Sequence, residues 1–464
     1  MNLTINEILT ATDGILLGKK NMSCETVTSV STDSKKIKKG ALFVPLHGEK
    51  VDSHKFISEA FSNGAVATST DEQVEVDKDK IYIKVEDTLK ALQSLAKYYR
   101  SKFNIPIVGI TGSVGKTSTK EMISLCLSSR YNVLKTEGNL NGQIGLPLTI
   151  MNLNKSNEIG VIEMGISEFS EMERLSDIAR PTYAVMTNIG LVHIENLKTQ
   201  ENILKEKFKI TNNFDENSVL LINADDENLV KLKKNQKFKV ITYGVNKDCD
   251  FRATNVKMTD EFTNFELKYK GKTENFTVPS VGIHNVYNAL AGIALGLDLG
   301  INLNDLKKSL GEYKTLDKRQ CIYKVELNGK NASVTLIDDS YNANPESMKN
   351  AVDVLNIYGK GKRKIAVLAD MLELGKQSSK LHFELGKYVS KNNVDILIAI
   401  GPEAKNIAAG ANALQNERKM KVYSFLSNEE AFEILFDIVE DKDVILVKGS
   451  RAVSYTHLRA HETR

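Results

Sequence analysis

Residues 105–120 read IPIVGITGSVGKTSTK, an apolar run that breaks into a glycine-bearing turn ending in Gly-Lys-Thr. The apolar run predicts a buried strand, and Thr117 onward predicts the start of a helix. Gly112 and Gly115 allow the backbone to turn tightly, so that N–H groups at the helix N-terminus face an anion. The stretch therefore predicts a phosphate-binding loop, in which Lys116 neutralises the β- and γ-phosphates and the Thr117 hydroxyl ligates magnesium.

The spacing of this loop departs from the strict Walker pattern. Ile110 stands five residues before Gly115, and Gly109 lies one position too early. The alternative is a glycine turn before an ordinary helix, but the order of strand, turn, Lys and Thr favours the phosphate loop. The predicted nucleotide contacts in this stretch are Gly112, Ser113, Val114, Gly115, Lys116, Thr117 and Ser118.

The composition describes a globular protein of several domains. A chain of 464 residues is long enough for about three of them. Hydrophobic residues make up 41% of the chain and charged residues 26%, and no apolar run approaches the roughly 20 residues of a membrane helix. The first residues, MNLTINEILTATDG, lack the basic start and cleavage site of a signal peptide. We therefore expect a cytoplasmic protein with no stable membrane insertion.

Cysteine usage and charge argue against two further classes of protein. Cys24, Cys126, Cys249 and Cys321 have neither C-x-x-C nor zinc spacing, which indicates reduced thiols rather than a disulfide or metal framework. A net charge of +3 is too small to indicate a nucleic-acid partner. The lysine run at 35–39 contains no aromatic residue, so it reads as a solvated basic edge that could still meet a diphosphate.

The pattern of apolar runs predicts an α/β protein of three domains. Residues 1–100 predict a small mixed α/β domain that ends in a helix over 88–100. Residues 101–311 alternate strands and helices, as in a central parallel-sheet P-loop ATPase domain. Residues 312–452 predict a second, Rossmann-like α/β domain, whereas 453–464 fit neither the strand nor the helix pattern. Further helices are predicted over residues 199–210, 285–299 and 346–357.

Two polar residues follow strands of the predicted central sheet. Glu163 ends the strand of VIEMG, where a carboxylate beside a phosphate loop usually positions the cation, so it is a magnesium candidate. His193 follows the strand AVMTNIG, at another carboxyl end, although a lone histidine there is more often structural. The lysine-bearing segment 199–210 reads on its own as a solvated helix.

The motif IDDSYNANPESM is more specific than any of these single residues. The chain resembles the Mur ligase family over nearly its whole length, because this motif occurs in the family's order with STDSKKIKKGALFVPLHG, TEGNLNGQIGLPLTI, EMGISEFSEM, TNIGLVHIE, GIHNVYNALAG, LADMLELG and VKGSR. The resemblance implies an ATP-dependent ligase of cytoplasmic peptidoglycan precursor synthesis, which forms a carbon–nitrogen bond and ADP. DDSYNANP and DMLELG imply the member that joins D-alanyl-D-alanine to UDP-N-acetylmuramoyl-tripeptide through an acyl phosphate.

The resemblance also implies substrate contacts in the first two domains. The uridine diphosphate would meet Ser34, Lys35 and the turn from Gly48 to His54 in the first domain. Family members often carry Arg where this chain has Lys35, which leaves a point charge without bidentate phosphate recognition. In the second domain, GNLNG resembles the loop that approaches the muramyl peptide and the γ-phosphate, through Asn139 and Asn141. A polar turn is the alternative for either asparagine.

The catalytic centre implied by the resemblance contains Lys116, His193 and Lys207. Thr117, Glu163 and His193 resemble the ligands of magnesium ions that bridge ATP and the substrate carboxylate. Lys207 matches a lysine that the family carbamylates, and a carbamate would supply an anionic oxygen to the cation where an ammonium would repel it. The neighbours Lys205 and Lys209 leave the register open, and a solvated helix is the alternative for all three lysines.

The remaining implied contacts lie in the second and third domains. The nucleotide would be contacted by Asn285 and Asn288 at the adenine and by Arg319 and Asp339 as the third domain closes. The incoming dipeptide would be contacted by Asn342 and Asn344. The resemblance further implies small-molecule substrates only and a monomeric enzyme.

Two other functions remain open from the sequence. A sibling ligase that adds a single amino acid would share the phosphate loop, Glu163 and His193, but it would lack DDSYNANP. A nucleotide-switch or motor ATPase would also use GKT, but it needs no UDP-binding domain. The final stretch VSYTHLRAHETR departs from the family's apolar amphipathic helix and looks like translated adaptor sequence, so we predict that 453–464 is a non-native tail.

Overall fold

The computed structural model of the protein describes residues 1–19, 25–48, 51–327, 330, 332–414 and 420–450. The predicted tail 453–464 and Cys24 lie outside these residues. The described part of the chain forms mixed α/β units around mainly parallel sheets, which confirms the predicted fold class. The predicted domain boundaries stay a prediction.

The first unit is a small sheet covered by helices. Its strands are paired in the order β2-β7-β6-β5-β4, and β1 pairs separately with β3. The strands are β1 (Leu3–Thr4), β2 (Ile15–Gly18), β3 (Thr26–Val27), β4 (Ser29–Ser31), β5 (Ala41–Phe43), β6 (Ala65–Thr70) and β7 (Ile81–Lys84). The helices are α1 (Ile5–Thr12), α2 (Ile57–Ser62) and α3 (Thr88–Ser101).

Helix α3 confirms the helix predicted over 88–100, and its last turn contacts the central unit. Asp87 caps it by accepting a hydrogen bond from the Lys90 backbone N–H. Near its end, the buried Arg100 guanidinium donates to the carbonyl oxygens of Ala179 at 2.9 Å and Ile105 at 2.9 Å. These bonds hold the segment that leads into the first strand of the central sheet.

The central unit contains the sheet that carries the site, with strand order β16-β15-β14-β13-β12-β11-β8-β10-β9. Its strands are β8 (Ile107–Thr111), β9 (Val133–Lys135), β10 (Ile159–Glu163), β11 (Tyr183–Met186), β12 (Val219–Asn223), β13 (Lys239–Gly244), β14 (Phe251–Met258), β15 (Thr263–Tyr269) and β16 (Lys272–Val278). Its helices are α4 (Lys116–Ser128), α5 (Gly145–Ile150), α6 (Glu171–Ala179), α7 (Ile194–Leu197), α8 (Gln200–Phe208), α9 (Glu227–Val230), α10 (Ile283–Asp298) and α11 (Leu303–Gly311).

Strand β8 lies between β11 and β10, and all three run parallel. Every residue of β8 and β10 is buried, because helices cover both faces of the sheet. On one side of β8 the sheet continues with β10 and then β9, and on the other side it continues with β11 and then β12. The carboxyl ends of these strands therefore form the crevice in which open α/β sheets bind ligands.

One part of the central sheet differs from the predicted parallel sheet. Strands β14, β15 and β16 pair antiparallel. The hairpin between β15 and β16 turns at Lys270 and Gly271, which both have positive φ, as two-residue hairpin turns require. Buried and partly exposed residues alternate along β15, a period-2 pattern that indicates an edge ribbon rather than a parallel core strand.

The third unit is a sheet with strand order β17-β18-β22-β19-β20-β21, in which only the β17–β18 pair is antiparallel among the described strands. Its strands are β17 (Cys321–Leu327), β18 (Ala332–Asp338), β19 (Lys364–Ala369), β20 (Ile396–Ile400), β21 (Lys421–Phe425) and β22 (Val444–Lys448). Its helices are α12 (Pro345–Tyr358), α13 (Ser378–Lys391), α14 (Lys405–Ala413) and α15 (Asn428–Ile438).

The other three predicted helices are confirmed with small shifts at their ends. They correspond to α8, α10 and α12, whose first turns begin after a side-chain cap at Thr199 and Asn344 and after Gly282 without one. Pro345 occupies the first position of α12, where its missing N–H costs nothing. In the described part of the chain, no helix has the length and apolar character needed to cross a membrane.

Candidate active site

The phosphate loop follows β8 and ends at the first turn of α4. Gly112 has a φ of 149° and Gly115 a φ of 84°, conformations that favour glycine. A Cβ atom at Gly112 would lie 1.9 Å from the Thr187 hydroxyl, so no side chain fits there. The two glycines therefore allow the loop to pass directly over the end of β11.

The residues after β11 hold this loop in place. Asn188 accepts from the Ser113 backbone N–H at 3.0 Å through its carbonyl and from the Val114 N–H at 2.8 Å through its side chain. The Thr187 hydroxyl donates to the Val114 carbonyl at 2.6 Å. The motif TNIG suggested a strand end only, so sequence reasoning missed Thr187 and Asn188 as supports of the loop.

Lys116 and Thr117 face the third unit. The Lys116 ammonium donates to the Gly112 carbonyl at 2.8 Å. Burial lowers the pKa of Lys116, Glu163 opposes this shift, and the positive charge of Arg319 adds to it. Arg319 donates from Nη2 to the Thr117 hydroxyl at 3.0 Å and stacks on the ring of Tyr341, 3.9 Å from its centroid. Arg319 thus brings a fixed positive charge to the phosphate loop.

Glu163 ends β10 beside the loop and is 2% exposed. Its backbone N–H donates to the Thr136 hydroxyl at 2.9 Å, and its Oε1 accepts from the Asn141 side chain at 2.7 Å. Oε2 has no hydrogen-bond partner among the residues that the structure describes. A buried carboxylate oxygen without a donor is costly, and a bound cation would satisfy it.

His193 precedes α7 with a left-handed backbone, at a φ of 59°. Its Nδ1 lies 2.5 Å from Oε2 of Glu373, a residue of the third unit. This contact lowers the pKa of the Glu373 carboxyl, and desolvation opposes it. Sequence reasoning did not assign a role to Glu373, although its motif DMLELG was part of the resemblance.

Lys207 is 1% exposed on α8, and its Nζ has no hydrogen-bond partner in the described part of the chain. Burial lowers its pKa well below the usual range, and the charge of Lys116 lowers it further, against the opposing effect of Glu171 and Glu206. The flanking lysines are paired near the surface, Lys205 with Glu201 at 2.7 Å and Lys209 with Glu206 at 2.8 Å. Of these three lysines, only Lys207 is buried without a hydrogen-bond partner among the described residues, and its modification stays a prediction.

Two asparagines of α10 lie beside the loop with their amides engaged. The Asn288 Oδ1 accepts from the Thr119 hydroxyl at 2.8 Å. The Asn285 amide donates to the Ser280 hydroxyl at 2.8 Å and to the Val281 carbonyl at 3.0 Å. Both side chains are therefore held by hydrogen bonds to neighbouring residues of the central unit.

Asp339 is held by a buried lysine that sequence reasoning missed. Lys448, at the end of β22, lies 2.6 Å from Asp339 Oδ2 and also donates to the Asn342 carbonyl at 3.0 Å. The Asp339 Oδ1 accepts from the Gln320 backbone N–H at 3.2 Å. The signal was available in VKGSR, which places a lysine at the carboxyl end of an apolar strand.

A cavity of 690 Å³ brings most of these residues together between the central and third units. The predicted residues in its lining are Ser113, Val114, Gly115, Lys116, Thr117, Ser118, Asn139, Asn141, Glu163, His193, Asn285, Asn288, Arg319, Asp339, Asn342 and Asn344. Gly112 and Lys207 are not part of the lining formed by the described residues.

Comparison with known proteins accounts for this arrangement. The family models matched are the Mur ligase family catalytic domain over residues 26–100, the Mur ligase middle domain over 110–296 and the Mur ligase glutamate ligase domain over 325–451. The chain belongs to the Mur ligase family. The matches follow the same order as the three α/β units.

This Mur ligase is similar to curated relatives over nearly its whole length. It is 37% identical to the UDP-N-acetylmuramoyl-tripeptide–D-alanyl-D-alanine ligase of Bacillus subtilis strain 168, over 92% of this chain and 91% of the relative. It is 32% identical to the enzyme of the same name from Escherichia coli K12, over 97% of both chains.

Solved structures share the fold. MurF from Acinetobacter baumannii superposes with a TM-score of 0.89 at 28% identity, covering 99% of this chain and 98% of that one. MurF ligase from Thermotoga maritima, crystallised in complex with ADP, gives a TM-score of 0.81 at 29% identity and covers 94% and 97% of the two chains. The Mur ligase fold predicted from the motifs is therefore confirmed.

The first-unit residues of this Mur ligase lie apart from the cavity, whose described lining contains none of them. Ser34 is buried and donates to Glu59 at 2.9 Å, whereas Lys35 and Gly48 are exposed. His54 is buried, with Nδ1 2.7 Å from Asp52 and Nε2 3.0 Å from Asp71. His54 therefore holds its own loop, and contact of Lys35 and Gly48 with the uridine diphosphate stays a prediction.

The two asparagines of NANP use their side chains locally. Asn344 accepts from the Ser347 backbone N–H at 2.9 Å and so caps α12. Asn342 accepts from the Ala343 N–H at 2.9 Å. A role in the dipeptide pocket stays a prediction for both, and the cap gives Asn344 a structural function in any case.

Proposed function

We propose that this Mur ligase joins D-alanyl-D-alanine to UDP-N-acetylmuramoyl-tripeptide, with conversion of ATP to ADP and phosphate. The observation that carries the proposal is the single cavity in which the phosphate loop, Glu163, His193 and the NANP segment converge. ATP use is in keeping with the family and with the ADP complex of the Thermotoga relative. We further propose that the enzyme is a cytoplasmic monomer without a nucleic-acid partner.

The reaction proceeds in two displacements. The terminal carboxylate of the tripeptide attacks the γ-phosphorus of ATP, an O–P bond forms, and the bond to ADP breaks. The amine of D-alanyl-D-alanine then attacks the acyl carbon, loses a proton, and expels inorganic phosphate as the C–N bond forms. Such transfers depend on positioning and on neutralising charge rather than on a side-chain nucleophile.

The phosphate loop supplies most of the positioning. The start of α4 lines the cavity, so the free backbone N–H groups of its first turn would stabilise the β- and γ-phosphates. Lys116 now donates to the Gly112 carbonyl, and a bound phosphate would take over these donors. Arg319, which donates to the Thr117 hydroxyl, adds positive charge to the loop. Together the two side chains compensate the charge that develops on the transferring group.

Magnesium fits the residues at this site. The buried Glu163 Oε2 has no donor among the described residues, and the Thr117 hydroxyl, which lines the same cavity, is a hard oxygen ligand. Glu163, Thr117 and His193 would hold the ions. When bound, the metal would supply positive charge that stabilises the phosphoryl oxygens.

Lys207 is the proposed site of carbamylation. Carbamate formation needs a neutral amine as the nucleophile toward carbon dioxide, and the lowered pKa of Lys207 favours that form. The modification would replace a buried, unpartnered amine by an anionic oxygen. The carbamate of Lys207 would then offer an anionic oxygen to a cation at the site.

The third unit completes the site. Arg319 contacts Thr117 directly, and Lys448 holds Asp339 and the NANP backbone in one orientation. Closure of this unit over the cavity would exclude water from the acyl phosphate, which would otherwise hydrolyse. Asn139, Asn141, Asn342 and Asn344 are the proposed contacts to the peptide substrates, and Ser34, Lys35, Gly48 and His54 those to the uridine diphosphate.

The test measures phosphate release from ATP with UDP-N-acetylmuramoyl-tripeptide, with and without D-alanyl-D-alanine, while mass spectrometry follows the muramyl product. The expected result is release that requires both substrates and a mass gain of one dipeptide. Acceptance of a single amino acid in place of the dipeptide would identify a sibling ligase instead. Lys116→Ala serves as the inactive control.

A further inference from the structure

The segment LADMLELG has no part in the reaction described above, yet the structure holds it firmly. It follows β19 at the carboxyl end of the third unit's sheet. Asp370 Oδ1 accepts from the backbone N–H groups of Glu403 at 3.1 Å and Ala404 at 2.7 Å. The Leu372 N–H donates to the Ser450 hydroxyl at 3.1 Å, and the Met371 N–H donates to His382 Nε2 at 3.0 Å. The loop is thus fixed by three neighbouring segments.

This loop crosses from the third unit to the start of α7 in the central unit. Glu373 has a φ of 62°, a left-handed backbone conformation that is uncommon for residues other than glycine. Its Oε2 lies 2.5 Å from His193 Nδ1. Gly375 passes so close to α7 that a Cβ there would lie 3.3 Å from the Glu195 Cβ. Two contacts therefore place the loop against the same short helix.

The contact determines which ring nitrogen of His193 can coordinate a cation. Nδ1 lies 2.5 Å from the carboxylate, although the two groups are not aligned for a hydrogen bond in this arrangement, and Nε2 is the ring nitrogen left for the cavity, whose lining includes His193. Histidines that ligate metals commonly donate their other ring N–H to a carboxylate, which fixes the tautomer and the ring orientation. Glu373 is such a carboxylate beside His193, and it belongs to the third unit, whereas His193 belongs to the central unit.

We propose that Glu373 is a positioning residue that acts through His193: packing of the third unit against the central unit brings its carboxylate to Nδ1–H and directs Nε2 toward the cation. This inference rests on the proposed function. It makes cation binding and domain packing reciprocal, because a cation that prefers the oriented imidazole also favours the packed arrangement.

The experiment compares Glu373→Ala and Glu373→Gln with Glu384→Gln in the full chain. Glu384 is a matched control, since it is an exposed carboxylate of the same unit that pairs only with Lys387, at 2.9 Å, among the described residues. Binding of Mn²⁺ is measured by electron paramagnetic resonance in the presence of a non-hydrolysable ATP analogue. The His193 tautomer is read from ring ¹⁵N chemical shifts of the metal-free protein.

We expect Glu373→Ala to weaken Mn²⁺ binding by about 10- to 100-fold and to shift His193 away from a single tautomer. Glu373→Gln keeps an acceptor oxygen and should recover part of both properties, whereas Glu384→Gln should match the parent protein. Unchanged Mn²⁺ affinity in Glu373→Ala would overturn the proposal. A loss of affinity with an unchanged tautomer would also overturn it, because Glu373 would then act on the cation directly.

These readouts are independent of the proposed amine substrate. If the enzyme proved to add a single amino acid, the proposed function would fail, but the Mn²⁺ and tautomer comparisons would still decide the role of Glu373. Thermal unfolding of each variant, followed by circular dichroism, separates a local effect from loss of the fold.

Discussion

The central cavity and the first unit both contain buried ionisable side chains, but their partners differ. Beside the cavity, Glu163 Oε2 and Lys207 Nζ have no hydrogen-bond partner within the described ranges. In the first unit, His54 Nδ1 lies 2.7 Å from Asp52 and Nε2 lies 3.0 Å from Asp71, so each ring nitrogen has a carboxylate beside it although Nε2 makes no hydrogen bond with the described residues. A buried polar group without a partner costs about 1–3 kcal/mol, so its persistence indicates a ligand that satisfies it. Buried groups that lie beside an oppositely charged side chain of the protein indicate a scaffold.

The largest effect on activity should come from Glu163→Gln. This variant keeps the shape of the side chain but removes the charge that would hold the cation, so kcat should fall on the order of 10³-fold. The free energy of unfolding should change little, because no protein donor pairs with Oε2 in the described structure. Steady-state kinetics over a magnesium series and urea unfolding measure both quantities. The exposed Glu168→Gln is the control, and equal activity of the two variants would contradict the assignment.

Lys207→Met should lower activity and raise stability at the same time. Loss of the carbamate oxygen should reduce kcat by about 100-fold. Removal of the buried, unpartnered amine should raise the free energy of unfolding by about 1–3 kcal/mol. Lys205→Met, on the same helix but exposed and paired with Glu201, should change neither. A Lys207→Met protein with full activity at every bicarbonate concentration would rule out the modification.

His54→Ala, in contrast to Lys207→Met, should lower the stability of the protein. The His54 side chain is 4% exposed, and its removal leaves Asp71 in a cluster that has lost one of its imidazole partners. Unfolding in urea should become easier by about 1–3 kcal/mol. His47→Ala is the matched variant, since it removes a half-exposed ring from the same cluster and should cost less. A stability loss in His47→Ala as large as that in His54→Ala would show that burial is not the deciding property.

Features formed within one segment of the chain could be predicted from the sequence, whereas contacts between distant segments could not. The phosphate loop is contiguous, so its strand, glycines and helix start are all present in residues 105–120, and the structure forms them there. Thr187, Asn188, Glu373 and Lys448 come from distant segments, and single-sequence patterns give no pairing between such segments. The sequence offered three candidate lysines in this segment, and only the burial seen in the structure distinguishes Lys207 from Lys205 and Lys209. The antiparallel strands β15 and β16 were missed because polar residues interrupt their apolar pattern.

The smallest effect concerns a paired surface charge of the first unit. The hydrogen bond from Lys102 holds the pKa of Glu7 at about 2, below its usual value of 4.5, and the Thr4 N–H adds to it. Because the folded pKa is lowered, the ionised carboxylate stabilises the fold above pH 4.5, and this contribution is lost as pH falls toward 2. The side chains of Glu7 and Lys102 are 30% and 36% exposed, so solvent screening limits the contribution to about 0.5–1 kcal/mol.

Glu7→Gln should therefore reduce the free energy of unfolding slightly at pH 7 and flatten its decline between pH 4.5 and pH 2, as measured by urea unfolding across that range. Glu201→Gln, which removes an exposed partner of Lys205 on α8, is the control for a surface pair without a helix cap. If both variants decline with pH as the parent does, neither pair contributes to acid stability. The scaffold role inferred for the first unit would then rest on its buried histidine cluster alone.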